Sequence, residues 1–131
     1  MRVLIVEDDA TSRRVMQKFL EPHGDCDLAE DGYSALDLFR SALDQKKPYD
    51  LVCLDIMMPG MSGHDVLHEI RGLEEQMGVR GLDGAKVIMT TALADSKNVR
   101  EAFKSQCEAY LVKPIDRKKL LHEMKSLGLL A

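Results

Sequence analysis

An α/β fold, with one parallel sheet covered by helices on both faces, is what this sequence predicts. Three observations lead there. Short apolar runs rich in β-branched residues recur along the chain. Each is followed by a stretch in which apolar residues return at helical spacing. The alternation repeats about five times, and strands that alternate with helices must pair in parallel, because each crossover carries a helix over the sheet.

The elements follow in order. Val3 to Val6 is a continuous apolar run of the kind buried on both faces. Val15, Met16, Phe19 and Leu20 then share one helix face, and Pro22-His23-Gly24 closes that helix. Cys26 to Ala29 is a weaker strand, followed by a helix marked by Ala35, Leu36, Phe39 and Leu43 that ends near Gln45, ahead of Lys47-Pro48. Leu51 to Leu54 is a second clean buried strand. Ser62 and Asp65 stand at the spacing of a capping box, and Val66, Leu67, Ile70 and Leu73 give the third helix its apolar face. Glu74 to Ala85 carries Gly78, Gly81 and Gly84 without a clear period and reads mostly as loop; it is either an extended helix end or a partner-specific loop, with a tolerated surface insertion favoured. Val87 to Thr90 or Thr91 is the fourth strand. Asp95 caps a fourth helix with Val99, Ala102 and Phe103 inward. Ala109 to Val112 is the fifth strand; Asp116 caps the fifth helix, with Leu120, Met124 and Leu127 inward and an Ile115–Leu120 staple around the cap.

Bulk properties exclude several function classes. The 131 residues suit a single domain, hydrophobic residues at 45% suffice for a core, and charged residues at 31% solvate the exterior, so neither a disordered nor a membrane protein fits. A net charge of −4 argues against a direct nucleic-acid binder, which needs a basic face. The run Arg117-Lys118-Lys119 reads as a solvated first helical turn. Cys26, Cys53 and Cys107 form no CxxC pair or metal-ligand spacing and read as reduced core or near-core thiols, which points to a cytoplasmic protein. Met1 to Glu7 is too short an apolar run for a signal peptide, and no segment has the length of a membrane span.

Parallel sheets bind ligands beyond the carboxyl ends of their strands. The first strand ends in Glu7-Asp8-Asp9, the third in Asp55 and the fourth in Thr90-Thr91, while Lys113-Pro114 follows the fifth. Glu30-Asp31, after the second, reads as helix capping. Glu7, Asp8 and Asp55 converge at adjacent central strands; their mutual repulsion raises their pKa values, and a bound dication relieves it. Hard oxygen ligands suit Mg²⁺. The plainer alternative is that these acids only cap helices, as Asp9 does. A carboxylate can itself attack phosphorus, and such transfer needs positioning and charge neutralisation above all. Asp55, the acidic pair, Lys113, and Thr91 with nearby backbone N–H groups supply those parts.

Four segments then carry a resemblance. Val6-Glu7-Asp8-Asp9, Leu54-Asp55-Ile56-Met57-Met58-Pro59-Gly60-Met61-Ser62-Gly63, Met89-Thr90-Thr91-Ala92 and Tyr110-Leu111-Val112-Lys113-Pro114 each follow or end a predicted strand. In that order they resemble the receiver domain of two-component response regulators, from Val3 to about Leu127. The resemblance implies a flavodoxin-like, doubly wound (βα)5 fold with strand order 2-1-3-4-5, one receiver domain over residues 1–131, and a phosphorelay role without turnover of an external substrate. It implies Asp55 as the phosphoryl acceptor, with Lys113 and Thr91 assisting. Mg²⁺ or Mn²⁺ would be held by Asp8, Asp55 and the Met57 backbone carbonyl, with Glu7 acting through water. The backbone at Met57 and Ala92 would bind phosphoryl oxygens. Thr91 and Tyr110 would form the switch, although a half-buried strand tyrosine explains Tyr110 as well. Pro114 after Lys113 would allow a cis peptide. Expected partners are a histidine kinase or histidine phosphotransfer protein, and a downstream protein bound on the face of the fourth helix, fifth strand and fifth helix. Met57 and Leu93 flank the site and are apolar, so neither can orient a water by hydrogen bonding, and the phosphoryl group should persist.

Three rivals stand against this reading. An aspartyl-phosphate phosphohydrolase would want a second Asp two residues after the nucleophile, where Met57 stands. A flavin or nucleotide binder would want a Gly-rich loop where Glu7-Asp8-Asp9 stands. A phosphorylation-independent docking module would not need the full set of residues present. Only Gly128 to Ala131 follow the last helix, so the chain reads as a stand-alone or excised receiver.

Overall fold

The structure, a computed structural model, describes residues 1–79, 83–92 and 107–130. The strands are β1 (Arg2–Val6), β2 (Asp25–Ala29), β3 (Leu51–Asp55), β4 (Lys86–Thr91) and β5 (Ala109–Val112). The helices are α1 (Ala10–Leu20), α2 (Gly32–Asp44), α3 (Gly63–Gln76) and a C-terminal helix, Arg117–Ser126, with a 3₁₀ turn at Glu21–His23 after α1. All pairings are parallel, in the order β2-β1-β3-β4-β5. The predicted sheet order is the observed one. The helix expected from Asp95, with Val99, Ala102 and Phe103, and Leu93 before it, lie outside the described residues.

Alternation along the strands builds two cores. Val3 and Ile5 of β1 and Leu51 and Cys53 of β3 face Met16 and Leu20 of α1 and Leu120 and Met124 of the C-terminal helix. Leu4, Val6, Val52 and Leu54 face the other way, onto Phe39 of α2 and Val66, Leu67 and Ile70 of α3. Burial of each such side chain contributes about 1.5–3 kcal/mol, so the central strands are the firmest part of the molecule. That firmness fixes the register Val6↔Leu54 and Asp55↔Thr90, and with it the residues one step beyond the strand ends.

The helix ends are set as expected. Asp9, Asp31 and Asp116 accept backbone N–H groups as N-caps, and Ser62 with Asp65 forms the capping box of α3. The cis peptide at Lys113-Pro114 is present. The three cysteines are free.

The stretch 74–85 is mostly non-helical among its described residues, as expected, except that Glu74 to Gln76 continue α3. The helix α3 runs on through Gln76 and ends in a Schellman closure, with Val79 N–H on the Glu74 carbonyl (2.8 Å), Gly78 N–H on the Glu75 carbonyl (3.1 Å) and Gly78 at φ 76°. Glu74 is buried, and its carboxylate takes hydrogen bonds from Arg71 and from the Ala85 N–H, both at 2.7 Å. The segment's two ends are therefore fastened to the core. A glutamate at an inward helix position broke the apolar period that would have extended the helix.

Candidate functional site

The site forms where β1, β3 and β5 end. One residue past the Val6↔Leu54 pair, Glu7 and Asp55 stand side by side on the same face of the two central strands. Both are buried, at 3% and 2% exposure, whereas Asp8 is exposed. Carboxylate oxygens of Glu7, Asp8 and Asp55 all lie within 4.8 Å of one another. The Lys113 side chain reaches across from the end of β5. Its Nζ is 2.7 Å from Glu7 and 3.3 Å from Asp55. The expected pairing with Asp55 is present, but Glu7 is the closer partner, a contact with no signal in the sequence.

Burial comes first among the causes that push the Asp55 carboxyl up to about 7; the Glu7 charge adds to it, and Lys113 opposes it. The expectation of a raised value holds, with desolvation ahead of repulsion. Burial works against the Lys113 charge, but hydrogen bonding and attraction from Glu7 and Asp55 outweigh it and hold that pKa above its ordinary value. The Met57 N–H donates to Asp55 at 3.2 Å, and the Asp9 N–H donates to Glu7 at 3.2 Å. Met57 itself is an exposed apolar side chain.

Below the acceptor, α3 begins unusually close to β3. A Cβ at Gly63 would run into the carbonyl oxygen of Asp55 and the Cα of Ile56. Gly63 also donates its N–H to the Ile56 carbonyl at 2.9 Å. Glycine here lets the helix start press against the strand end and shape the intervening loop.

Thr91 is fully buried at the end of β4, and its carbonyl accepts the Lys113 N–H at 2.7 Å. Asp55 has Thr90, not Thr91, as its register partner. Thr91 and Met89 lie on the opposite sheet face, together with Tyr110, the partner of Met89. Tyr110 is half-buried against the α2–α3 core. Thr91 and Tyr110 thus share a face of the sheet. Ala92 follows, exposed.

Three carboxylates gather here, two of them on one ammonium, and the carboxylates offer hard oxygen donors. That donor set fits a hard divalent cation such as Mg²⁺, which keeps waters and takes few carboxylates. Among the described residues no helix is long and apolar enough to cross a membrane.

Fold and site together define a doubly wound domain carrying an acidic, cation-type pocket at its strand ends. The chain belongs to the response regulator receiver domain family, which it matches over residues 3–125. It is 36% identical over 116 residues to the chemotaxis protein CheY-3 of Vibrio cholerae, covering 87% of this chain and 81% of that protein. It is 34% identical over 128 residues to the regulatory protein VanRB of Enterococcus faecalis, covering 97% of this chain but only 52% of that protein, about half its length. Among solved structures it resembles the receiver domain of the histidine kinase CKI1 from Arabidopsis thaliana complexed with Mg²⁺ and BeF3⁻, with a TM-score of 0.83, 27% identity, and coverage of 97% of this chain and 89% of that one. This is a phosphoacceptor signalling domain, and the docking-module and phosphohydrolase alternatives are not favoured. A CheY of Borrelia burgdorferi solved in complex with CheX has the same fold, with a TM-score of 0.82, 27% identity, and coverage of 98% of this chain and 89% of that one.

Proposed function

We propose that residues 1–131 form a single receiver domain in which Asp55 accepts a phosphoryl group from a phosphohistidine on a histidine kinase or histidine phosphotransfer protein. The observation that carries this is the convergence of Glu7, Asp8, Asp55 and Lys113 within one pocket. A carboxylate oxygen of Asp55 forms the new P–O bond as the P–N bond breaks, and the imidazole leaves with the electron pair and takes up a proton. Asp8, Asp55 and the Met57 carbonyl would hold Mg²⁺ or Mn²⁺, with Glu7 assisting through water. When bound, the cation neutralises charge on the transferring group. Lys113 then turns from Glu7 to a phosphoryl oxygen, and the backbone N–H groups at Met57 and Ala92 hold the others.

The Thr91 hydroxyl follows the phosphoryl group and Tyr110 packs inward behind it, a two-state bias set by the new charge. The affected face comprises β5, the C-terminal helix and the segment expected as the fourth helix. A downstream protein binds there, in the cytoplasm, and no external substrate is turned over. With Met57 apolar, the phosphoryl group decays slowly.

The test is acetyl phosphate with Mg²⁺, read by intact mass. A single phosphoryl adduct is expected on the wild-type chain and none on Asp55→Ala. An undiminished adduct on Asp55→Ala would sink the assignment. Following the decay of the same adduct in Met57→Asn, which should lose it faster, and comparing the proteins captured by the phosphorylated and Asp55→Ala forms, examines the lifetime and the partner.

A further inference from the structure

Asp8 is the exposed member of the acidic trio and lies on the loop beyond β1, so something other than strand register must aim it. The neighbouring acid is held firmly. Glu7 donates its N–H to the Ala29 carbonyl at 3.0 Å, and its carboxylate takes the Lys113 ammonium and the Asp9 N–H. The peptide unit between Glu7 and Asp8 has its own anchor. Arg13, one turn into α1, donates from Nη1 to the Glu7 carbonyl oxygen at 2.8 Å. That oxygen and the Asp8 N–H belong to the same rigid plane, so fixing one fixes the direction in which the chain enters Asp8. The Arg13 side chain is mostly buried, at 19% exposure, and its Nη2 lies 4.0 Å from Glu30, just past the end of β2. The Arg13 N–H is itself bonded to the Asp9 carbonyl at 2.9 Å, which closes a loop around the two acids.

We propose that Arg13 is a positioning residue of the cation site, clamping the Glu7–Asp8 peptide unit so that the Asp8 carboxylate is aimed at Glu7 and Asp55. The inference rests on the divalent-cation reading of that pocket. A planar fork suits this role, because one nitrogen holds the carbonyl while the other faces Glu30, which a lysine cannot do from a single nitrogen.

The sign of the effect separates positioning from simple charge. As a positive group bonded to the backbone next to the acidic trio, Arg13 opposes the arrival of a dication. On charge alone, Arg13→Gln would bind Mg²⁺ more tightly. As a clamp, its loss must weaken binding, by about ten-fold if it acts like other groups that orient metal ligands. The experiment is calorimetric titration of the metal-free protein with Mg²⁺ at fixed salt, with the metal-free melting temperature recorded for each variant. Arg14→Gln, which removes the same charge from the exposed neighbour, should bind no more weakly than wild type. Arg13→Lys should recover part of the loss. Equal or tighter binding by Arg13→Gln overturns the proposal; should that variant not fold, Arg13→Lys is judged by the same criterion. Absence of Mg²⁺ binding in the wild type would instead remove the cation reading beneath it.

Discussion

The two ends of the sheet both bury carboxylates, and they treat them differently. At the amino ends of β4 and β5, Glu74 and Glu108 share Arg71. The guanidinium gives one nitrogen to Glu74 (2.7 Å) and the Ala85 carbonyl (2.9 Å) and the other to both Glu108 oxygens (3.0 Å each). Backbone N–H groups of Ala85 and Val87 complete the set at 2.7 and 2.6 Å. At the carboxyl ends, the buried Glu7 and Asp55 share Lys113, with the exposed Asp8 beside them, and the N–H groups of Asp9 and Met57 reach Glu7 and Asp55 only at 3.2 Å. Buried carboxylates with short donors and a bidentate cation are structural joints. Buried carboxylates left short of positive charge are a site waiting for it.

Breaking the joint should have the largest effect. Arg71→Met leaves Glu74 and Glu108 without their cation, and uncompensated buried charge costs about 3–5 kcal/mol. Urea unfolding at neutral pH measures it, and a loss under about 1 kcal/mol would show that the network is spectator chemistry. Mg²⁺ affinity of the folded variant should be unchanged.

The site should behave in the opposite sense. In the folded, metal-free chain Asp55 keeps its proton up to about 7, while the unfolded chain releases it near 3.8. Between those values the folded state binds more protons. Its stability therefore falls as pH rises through that window and levels off above it. Asp55→Asn should remove this slope and leave the metal-free protein more stable above the window, by on the order of 2 kcal/mol after allowance for partial solvation. Denaturation across a pH series in chelator reads both. A wild-type slope that persists in the variant would show that other groups titrate.

The two ends also differ in how far the sequence disclosed them. Glu7, Asp8, Asp55 and Lys113 stand at or just beyond the ends of clean apolar strands, where parallel topology alone brings chemistry together. For Glu7 and Asp55 the convergence was legible because strand register carries it, while Asp8 and Lys113 follow just beyond their strands. The Arg71 joint was not. Its members are separated by 37 positions from Arg71 to Glu108, and a charged residue at an inward helix position looks polar to any reading of periodicity. The Lys113–Glu7 contact was hidden for a related reason: a long flexible stem decides which acid it meets, and the pattern of strands says nothing about stems. Arg13 lies off the apolar positions by which α1 was recognised, and nothing in its spacing points to the Glu7 carbonyl.

The smallest effect lies on the element that joins the two regions. Helix α3 starts beside the Asp55 carbonyl at Gly63 and ends in the Glu74 joint, so both regions depend on where it sits. Its first turn is set by the Ser62 side chain, which accepts the Asp65 N–H at 3.3 Å while Asp65 reaches back to the Ser62 N–H, also at 3.3 Å. Ser62→Ala removes one half of that exchange and should cost about 1 kcal/mol of stability. The backbone bond from Gly63 to the Ile56 carbonyl remains, and with it the path of the loop beneath the acceptor. Mg²⁺ affinity should accordingly stay within the error of the titration. A clear loss of affinity would mean that the helix start, and not only the strand ends, sets the geometry of the acidic pocket, and the division between a rigid joint at one end and a charge-starved site at the other would then have to include the cap.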